Sequence, residues 1–174
     1  MLKEKDYDYL FGPVPSRRLG RSLGVNLVPK KICSYDCVYC EVGSTVITTV
    51  ERKEYIELQK LLSEIEEFTA RNREIDVITL TGAGEPTLNS CIGSLIKAIK
   101  KIITDIPVAV LTNGSLLYLQ DVKESLLDAD IVIPSVDSVN EKDFFMVDKP
   151  DRHISLGKVL TGIKEFSYLY KGKL

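Results

Sequence analysis

The chain has 174 residues, 44% hydrophobic and 28% charged, with a formal net charge of -2. This is the make-up of one globular domain able to bury a sizeable core, and its balanced charge singles out no class of partner. The leading MLKEKDYDYL is too polar for a secretory signal, and no apolar run approaches the roughly 18 to 20 residues of a membrane span, so a cytoplasmic protein with no membrane partner is expected.

In chain order, Leu23-Gly-Val-Asn-Leu-Val28 predicts a first strand that Pro29 ends, with residues 1–22 as a lead-in to a core spanning 23–174. A loop holding three cysteines follows, and then an extended stretch around Val46 to Val50. Leu58, Leu61, Leu62, Ile65 and Phe68 recur at steps of three and four and mark one apolar helical stripe. Val77-Ile-Thr-Leu-Thr81 reads as a buried strand. Ile92, Leu95, Ile96, Ile99 and Ile103 line a second helix, with Asn89 or Ser90 placed to cap it. Val108-Ala-Val-Leu-Thr112 is the next strand, and Leu119, Val122, Leu126 and Leu127 mark a third helix. Ile131 to Val136 reads as a fourth strand; Leu156, Val159, Leu160, Ile163 and Phe166 line a fourth helix.

Four βα repeats with apolar, β-branched strands predict an α/β fold, a parallel sheet covered by helices and joined by right-handed crossovers. Ligands in such sheets gather at the carboxyl ends of the strands. Four polar segments fall there: the cysteine loop, Thr81-Gly-Ala-Gly-Glu-Pro-Thr-Leu88, Thr112-Asn-Gly114 and Ser135-Val-Asp137.

Without a secretory signal, four cysteines argue for free thiols rather than disulfides. Cys91 stands alone at a helix start and reads as a small apolar residue. Cys33-Ser-Tyr-Asp-Cys37-Val-Tyr-Cys40 puts three soft sulfur ligands in one loop, which suits an iron-sulfur cube with one iron left open to substrate. A zinc site with His153 or Cys91 as fourth ligand is the alternative, although zinc ribbons pair two Cys-x-x-Cys knuckles and this chain has one.

The cysteine spacing, with aromatic Tyr39 before the third cysteine, resembles the motif of the radical S-adenosylmethionine (radical SAM) superfamily. Ala83-Gly-Glu-Pro86 is similar to that superfamily's Gly-Gly-Glu-Pro segment, with Ala83 in place of its first glycine. Phe11-Gly-Pro-Val-Pro-Ser-Arg-Arg-Leu-Gly20 and Ser22-Leu-Gly-Val25 resemble a narrower branch of Fe-S oxidoreductases related to wyosine-forming tRNA enzymes. The resemblance implies a partial TIM barrel and a 4Fe-4S cluster on Cys33, Cys37 and Cys40 as the catalytic centre. The open iron would chelate S-adenosylmethionine, whose reductive cleavage yields a 5'-deoxyadenosyl radical that abstracts hydrogen from a substrate. Backbone groups of Ala83, Gly84 and Glu85, before Pro86, would hold the methionine amino group. Tyr39 would lie against the adenine, and Thr112, Asn113, Ser135 and Asp137 would face the ribose or the methionine carboxylate. An external one-electron donor of flavodoxin or ferredoxin type is implied, and an RNA substrate, with tRNA guanosine modification, is suggested.

Each of these segments also has a plain reading. Glu85-Pro86 and Thr112-Asn-Gly114 are ordinary turn sequences, Ser135 and Asp137 can bond locally, and Tyr39 can be core. Arg17, Arg18, Arg21, Lys30 and Lys31 form a solvated basic face or a phosphate-binding one, and the resemblance places Arg17-Arg18 near the cluster. His153 reads as surface or structural. The family's barrel has six βα units, whereas this sequence stops after the fourth, so a truncated product or a barrel completed by another chain is expected. A non-catalytic iron-sulfur carrier or sensor that has lost catalysis through truncation is one alternative function, and a zinc-stabilised α/β binding module is another.

Overall fold

The structure is a computed structural model that describes residues 7–29, 31–71 and 74–174. Its main sheet begins with a hairpin, β1 (Leu10–Ser16) and β2 (Gly20–Asn26). Two very short strands, β3 (Ile32–Cys33) and β4 (Ile47–Thr48), bracket the cysteine loop. The chain then runs through α1 (Leu58–Arg71), β5 (Val77–Thr81), a 3-10 turn (Pro86–Leu88), α2 (Ile92–Ile102) and β6 (Val108–Thr112). It continues with α3 (Gln120–Leu126), β7 (Ile131–Pro134), α4 (Glu141–Val147) and α5 (Leu156–Leu169).

The sheet order is β1-β2-β5-β6-β7, with β1 antiparallel and the other four mutually parallel. The alternating βα architecture expected from periodicity is therefore present as a partial barrel. It is not closed: β1 and β7 are its edges among the described residues. Beside β7, Lys173 forms a parallel bridge to Ile131, its carbonyl accepting from the Val132 amide at 2.9 Å.

Strand alternation sorts the side chains. Leu23, Val25, Ile78, Leu80, Val108, Val110 and Val132 point into the main core, where the stripes of α1 (Leu61, Ile65), α2 (Leu95, Ile96, Ile99) and α3 (Val122, Leu126) cover them. The opposite, concave face carries smaller groups. Ser22 and Thr79 share a 2.7 Å hydroxyl hydrogen bond, and a Cβ on Gly24 would enter the Phe11 ring. No helix among the described residues is long and apolar enough to cross a membrane.

Four features depart from the sequence reading. The Phe11 to Gly20 segment contains strand β1, which its glycine and prolines hide, because alternation cannot be read through residues that break it. The first parallel strand lies at Gly20–Asn26, earlier than Leu23–Val28. Helix α4 buries only Phe144 among its seven residues, so no periodic stripe marks it. The expected cap of α2 is shifted as well. Cys91 is the residue before its first turn, and Asn89 accepts from the Cys91 amide at 3.0 Å.

Candidate active site at the carboxyl rim

In the parallel register Asn26 pairs with Thr81, and Thr112 with Pro134, so the strands end at one level. Cys33, Cys37 and Cys40 line a cavity of about 210 Å³ at that level, together with Gly82, Ala83, Gly84, Glu85, Pro86, Thr112, Asn113 and Ser135. Tyr39 also lines it with its ring more than half exposed, and its hydroxyl donates to Asp137 and, at 3.4 Å, to Asp148. Asp137 is not part of the wall; it meets the site through Tyr39.

The cysteine loop is held by backbone bonds to the exit of α4. The Val38 amide donates to the Val147 carbonyl at 2.9 Å, the Asp36 amide to Asp148 and Lys149, and the Asp151 amide to Ser34 at 2.8 Å. Asp36 in turn accepts from the Thr45 amide, and the Thr45 hydroxyl donates to the Tyr35 carbonyl. Lys31, buried on the cavity wall, donates to the Gly43 carbonyl, where φ is +90° and glycine is favoured.

The Gly-Ala-Gly-Glu turn packs backbone to backbone on this loop. A Cβ on Gly84 would collide with the Ile32 carbonyl, the acceptor of the Glu85 amide at 3.2 Å. Glycine is therefore required at 84 by close approach. The Ala83 amide donates to Asn26 at 3.0 Å. Among the described residues no hydrogen bond is made by the Gly84 carbonyl.

Glu85, only 2% exposed, turns inward rather than toward the cavity. One of its oxygens accepts from the Thr87 amide (3.0 Å), the Thr87 hydroxyl (2.5 Å) and the Thr112 hydroxyl (2.6 Å); the other accepts from the Asn113 amide (2.8 Å). Burial raises this carboxyl overall, and the four donors oppose the rise without cancelling it. The carboxylate thus ties the ends of two strands together. Asn113 extends the network: its side-chain amide donates to Ser34 at 2.9 Å and reaches the Cys33 sulfur at 3.7 Å.

Burial also pushes the Cys33 thiol up to about 11, with nearby Glu85 adding to it. Cys37 rises to about 12, again chiefly by burial, with the Asp148 carboxylate adding to the rise and the Tyr39 hydroxyl opposing it. Both are neutral thiols at physiological pH until a cation compensates the thiolate.

The donor set fits an iron-sulfur cube. Three sulfurs open on one cavity, and Cys91 is elsewhere, its sulfur 3.8 Å from the Ile56 carbonyl and packed on the main core. His153 pairs with Asp151 at 2.7 Å and lines a separate hollow with Thr48 and Lys149. Neither proposed fourth zinc ligand faces the cysteine cavity. Among the described residues no three His, Cys, Asp or Glu side chains are gathered closely enough for a single ion; the ligands of a cube bind different irons and stand farther apart. Tyr35 adds a further mark. The residue lines the cavity, and its hydroxyl is buried without a hydrogen-bond partner.

Arg17 and Arg18 are not near the cysteines. They form the hairpin turn at the amino end of β2, the opposite end of the sheet, because β1 runs antiparallel and Ser16 pairs with Gly20. Arg21 is paired with Asp76 and Glu74, and Lys30 lies outside the described residues. Sequence reasoning missed Ser34, Tyr35 and Asp148. Tyr35 sits inside the cysteine motif without any spacing signal, and Asp148 follows an unforeseen helix.

An open βα sheet with a three-cysteine loop and a glycine-glutamate turn meeting at its carboxyl rim is the architecture of a radical SAM domain. The family model described as the Radical SAM superfamily matches residues 27–169, and the chain belongs to that superfamily. It is 43% identical over 166 residues to a UPF0026 protein of Methanocaldococcus jannaschii, covering 94% of this chain and 51% of that one. A UPF0026 protein of Synechocystis is 36% identical over 166 residues (95% and 62%). A protein named GTPase Obg from Brachyspira hyodysenteriae is 45% identical over 164 residues (94% and 24%). The chain spans about a quarter to three fifths of the length of these relatives.

Proposed function

We propose that the protein is a radical SAM enzyme that carries a 4Fe-4S cluster on Cys33, Cys37 and Cys40 and acts on its substrate by hydrogen abstraction. The observation that carries this reading is the meeting of three thiols and the Gly84 turn on one cavity, with no fourth cysteine facing it among the described residues. When bound, the cluster supplies one electron that cleaves S-adenosylmethionine to a 5'-deoxyadenosyl radical.

The chain's own residues divide the remaining work. Cys33, Cys37 and Cys40 give up their protons to become ligands, and Asn113 supports the Cys33 sulfur with its side-chain amide. The Gly84 carbonyl, which makes no hydrogen bond among the described residues, would be free to accept from the methionine amino group. Glu85 acts through its neighbours by fixing the Thr112 hydroxyl and the Asn113 backbone beside the cofactor. Tyr39, steadied by Asp137, covers the adenine side, and Ser135 contributes its hydroxyl on the cavity wall.

The electron comes from an external donor of flavodoxin or ferredoxin type in the cytoplasm, and an RNA guanosine is the substrate to try first. Anaerobic reconstitution tests the reading. About four iron and four sulfide per chain, with 5'-deoxyadenosine formed after dithionite reduction, is expected. Iron and sulfide without nucleoside formation makes the protein a carrier or sensor, and stoichiometric zinc without sulfide refutes the cluster altogether.

A further inference from the structure

The wall of the cysteine cavity contains one buried donor with nothing to donate to. Tyr35 lies between two of the thiols in sequence, is 4% exposed, and has the one buried side-chain polar atom without a hydrogen-bond partner among the described residues. Its ring is fixed edge-on against Phe144, with centroids 5.6 Å apart and planes at 83°. Phe144, Ile154, Leu156 and Val159 form the apolar cluster around it, and Cys33 and Cys37 pack on that same cluster. The ring therefore cannot swing its hydroxyl to water without leaving this packing. A phenol left unpaired at such a place is costly to fold unless something else completes it.

We propose that the Tyr35 hydroxyl donates a hydrogen bond to a sulfur of the cluster held by Cys33, Cys37 and Cys40, and so makes that cluster easier to reduce. The inference rests on the cluster reading above. Sulfur is the acceptor the surroundings offer, since no protein acceptor lies within hydrogen-bond reach of the hydroxyl among the described residues and Cys33 and Cys37 pack on the same cluster. A donor aimed at cluster sulfur favours the state with the extra negative charge. One electron arrives from the external one-electron donor, the phenol keeps its proton, and no covalent bond of the protein changes. The Asn113 amide already approaches the Cys33 sulfur, so Tyr35 would be a second positioning donor for the same centre.

Tyr35→Phe removes the oxygen and keeps the ring on Phe144. The metal-free variant should melt at the same or a higher temperature than the wild type, because it loses an unpaired buried group. Once reconstituted to full iron and sulfide, its midpoint potential, followed by electron paramagnetic resonance without S-adenosylmethionine, should fall. The reduction equilibrium should weaken at least threefold, a tenfold loss being about 59 mV for one electron. If the phenylalanine variant retains no cluster, Tyr35→3-fluorotyrosine, a more acidic donor, should instead raise the potential. An unchanged potential in the variant that holds a cluster overturns the inference, as does a change that appears only when S-adenosylmethionine is present. A wild-type protein that assembles no cube overturns the functional reading along with this one; a wild type that assembles it while Tyr35→Phe leaves the potential untouched overturns this one alone.

Discussion

Glu85→Gln isolates the buried carboxylate from its shape. Both oxygens of Glu85 face backbone amides that can only donate, Thr87 at 3.0 Å on one side and Asn113 at 2.8 Å on the other. Whichever way the new amide is turned, its nitrogen meets one of these donors and a charge-assisted hydrogen bond is lost in a buried place. Such a loss is worth about 1.5–3 kcal/mol, and in a chain of this size each kcal/mol moves the melting temperature by roughly 2–4 °C. The metal-free protein should therefore melt about 3–12 °C lower, measured anaerobically by circular dichroism. Cluster uptake should weaken too, because the displaced Asn113 backbone carries the side chain that reaches Ser34 and Cys33. A variant melting within about a degree of the wild type would mean that Glu85 does not tie the two strand ends together.

Gly84→Ala drives a Cβ into the Ile32 carbonyl, and overpacking against a fixed backbone should cost about 1–3 kcal/mol or more, with iron content falling in parallel; a variant with normal melting and full iron contradicts the close approach. Cys91→Ala should leave iron and sulfide content unchanged, since that sulfur packs on the core near Ile56, whereas iron loss would make it a ligand. The pH dependence of uptake follows from the raised thiols: a thiol must lose its proton to bind, so affinity climbs by about tenfold per pH unit for each thiol while the pH is below its pKa. With Cys33 near 11 and Cys37 near 12, iron and sulfide uptake should still be strengthening above neutrality, and a plateau already reached at pH 7 would refute those raised values.

Periodicity made the parallel strands and long helices legible, because each buries a regular stripe: Leu61 and Ile65 in α1, Ile96 and Ile99 in α2, and Ile78 and Leu80 in β5 all lie in the core. The convergence of the cysteines with the Gly-Ala-Gly-Glu and Thr-Asn-Gly segments followed from the rule that such strands end on one side. Elements stabilised by local geometry were hidden. Strand β1 pairs through an irregular register around Gly12 and Pro13, and β3 is two residues long, whereas β4 falls within the extended stretch expected around Val46 to Val50. Side-chain direction was also beyond reach. The sequence marks Glu85 as polar at the rim, yet only packing decides that its carboxylate turns toward Thr112 and Asn113 instead of the cavity. Arg17 and Arg18 were misplaced because their distance from Cys33 in sequence does not reveal that a hairpin reverses the chain.

The seam between the cysteine loop and the exit of α4 limits how this protein can change. Residues 34–38 run alongside 147–151 through main-chain bonds, so side-chain substitutions other than proline leave those bonds intact. A one-residue insertion or deletion in α4 is different: it would rotate the helix exit by about 100° and pull the three thiols of the cysteine loop out of alignment, although it touches none of them. Changes in length are therefore best accommodated at the exposed Val139, between Asp137 and the helix, while the spacing from Asn140 to Asp151 stays constant.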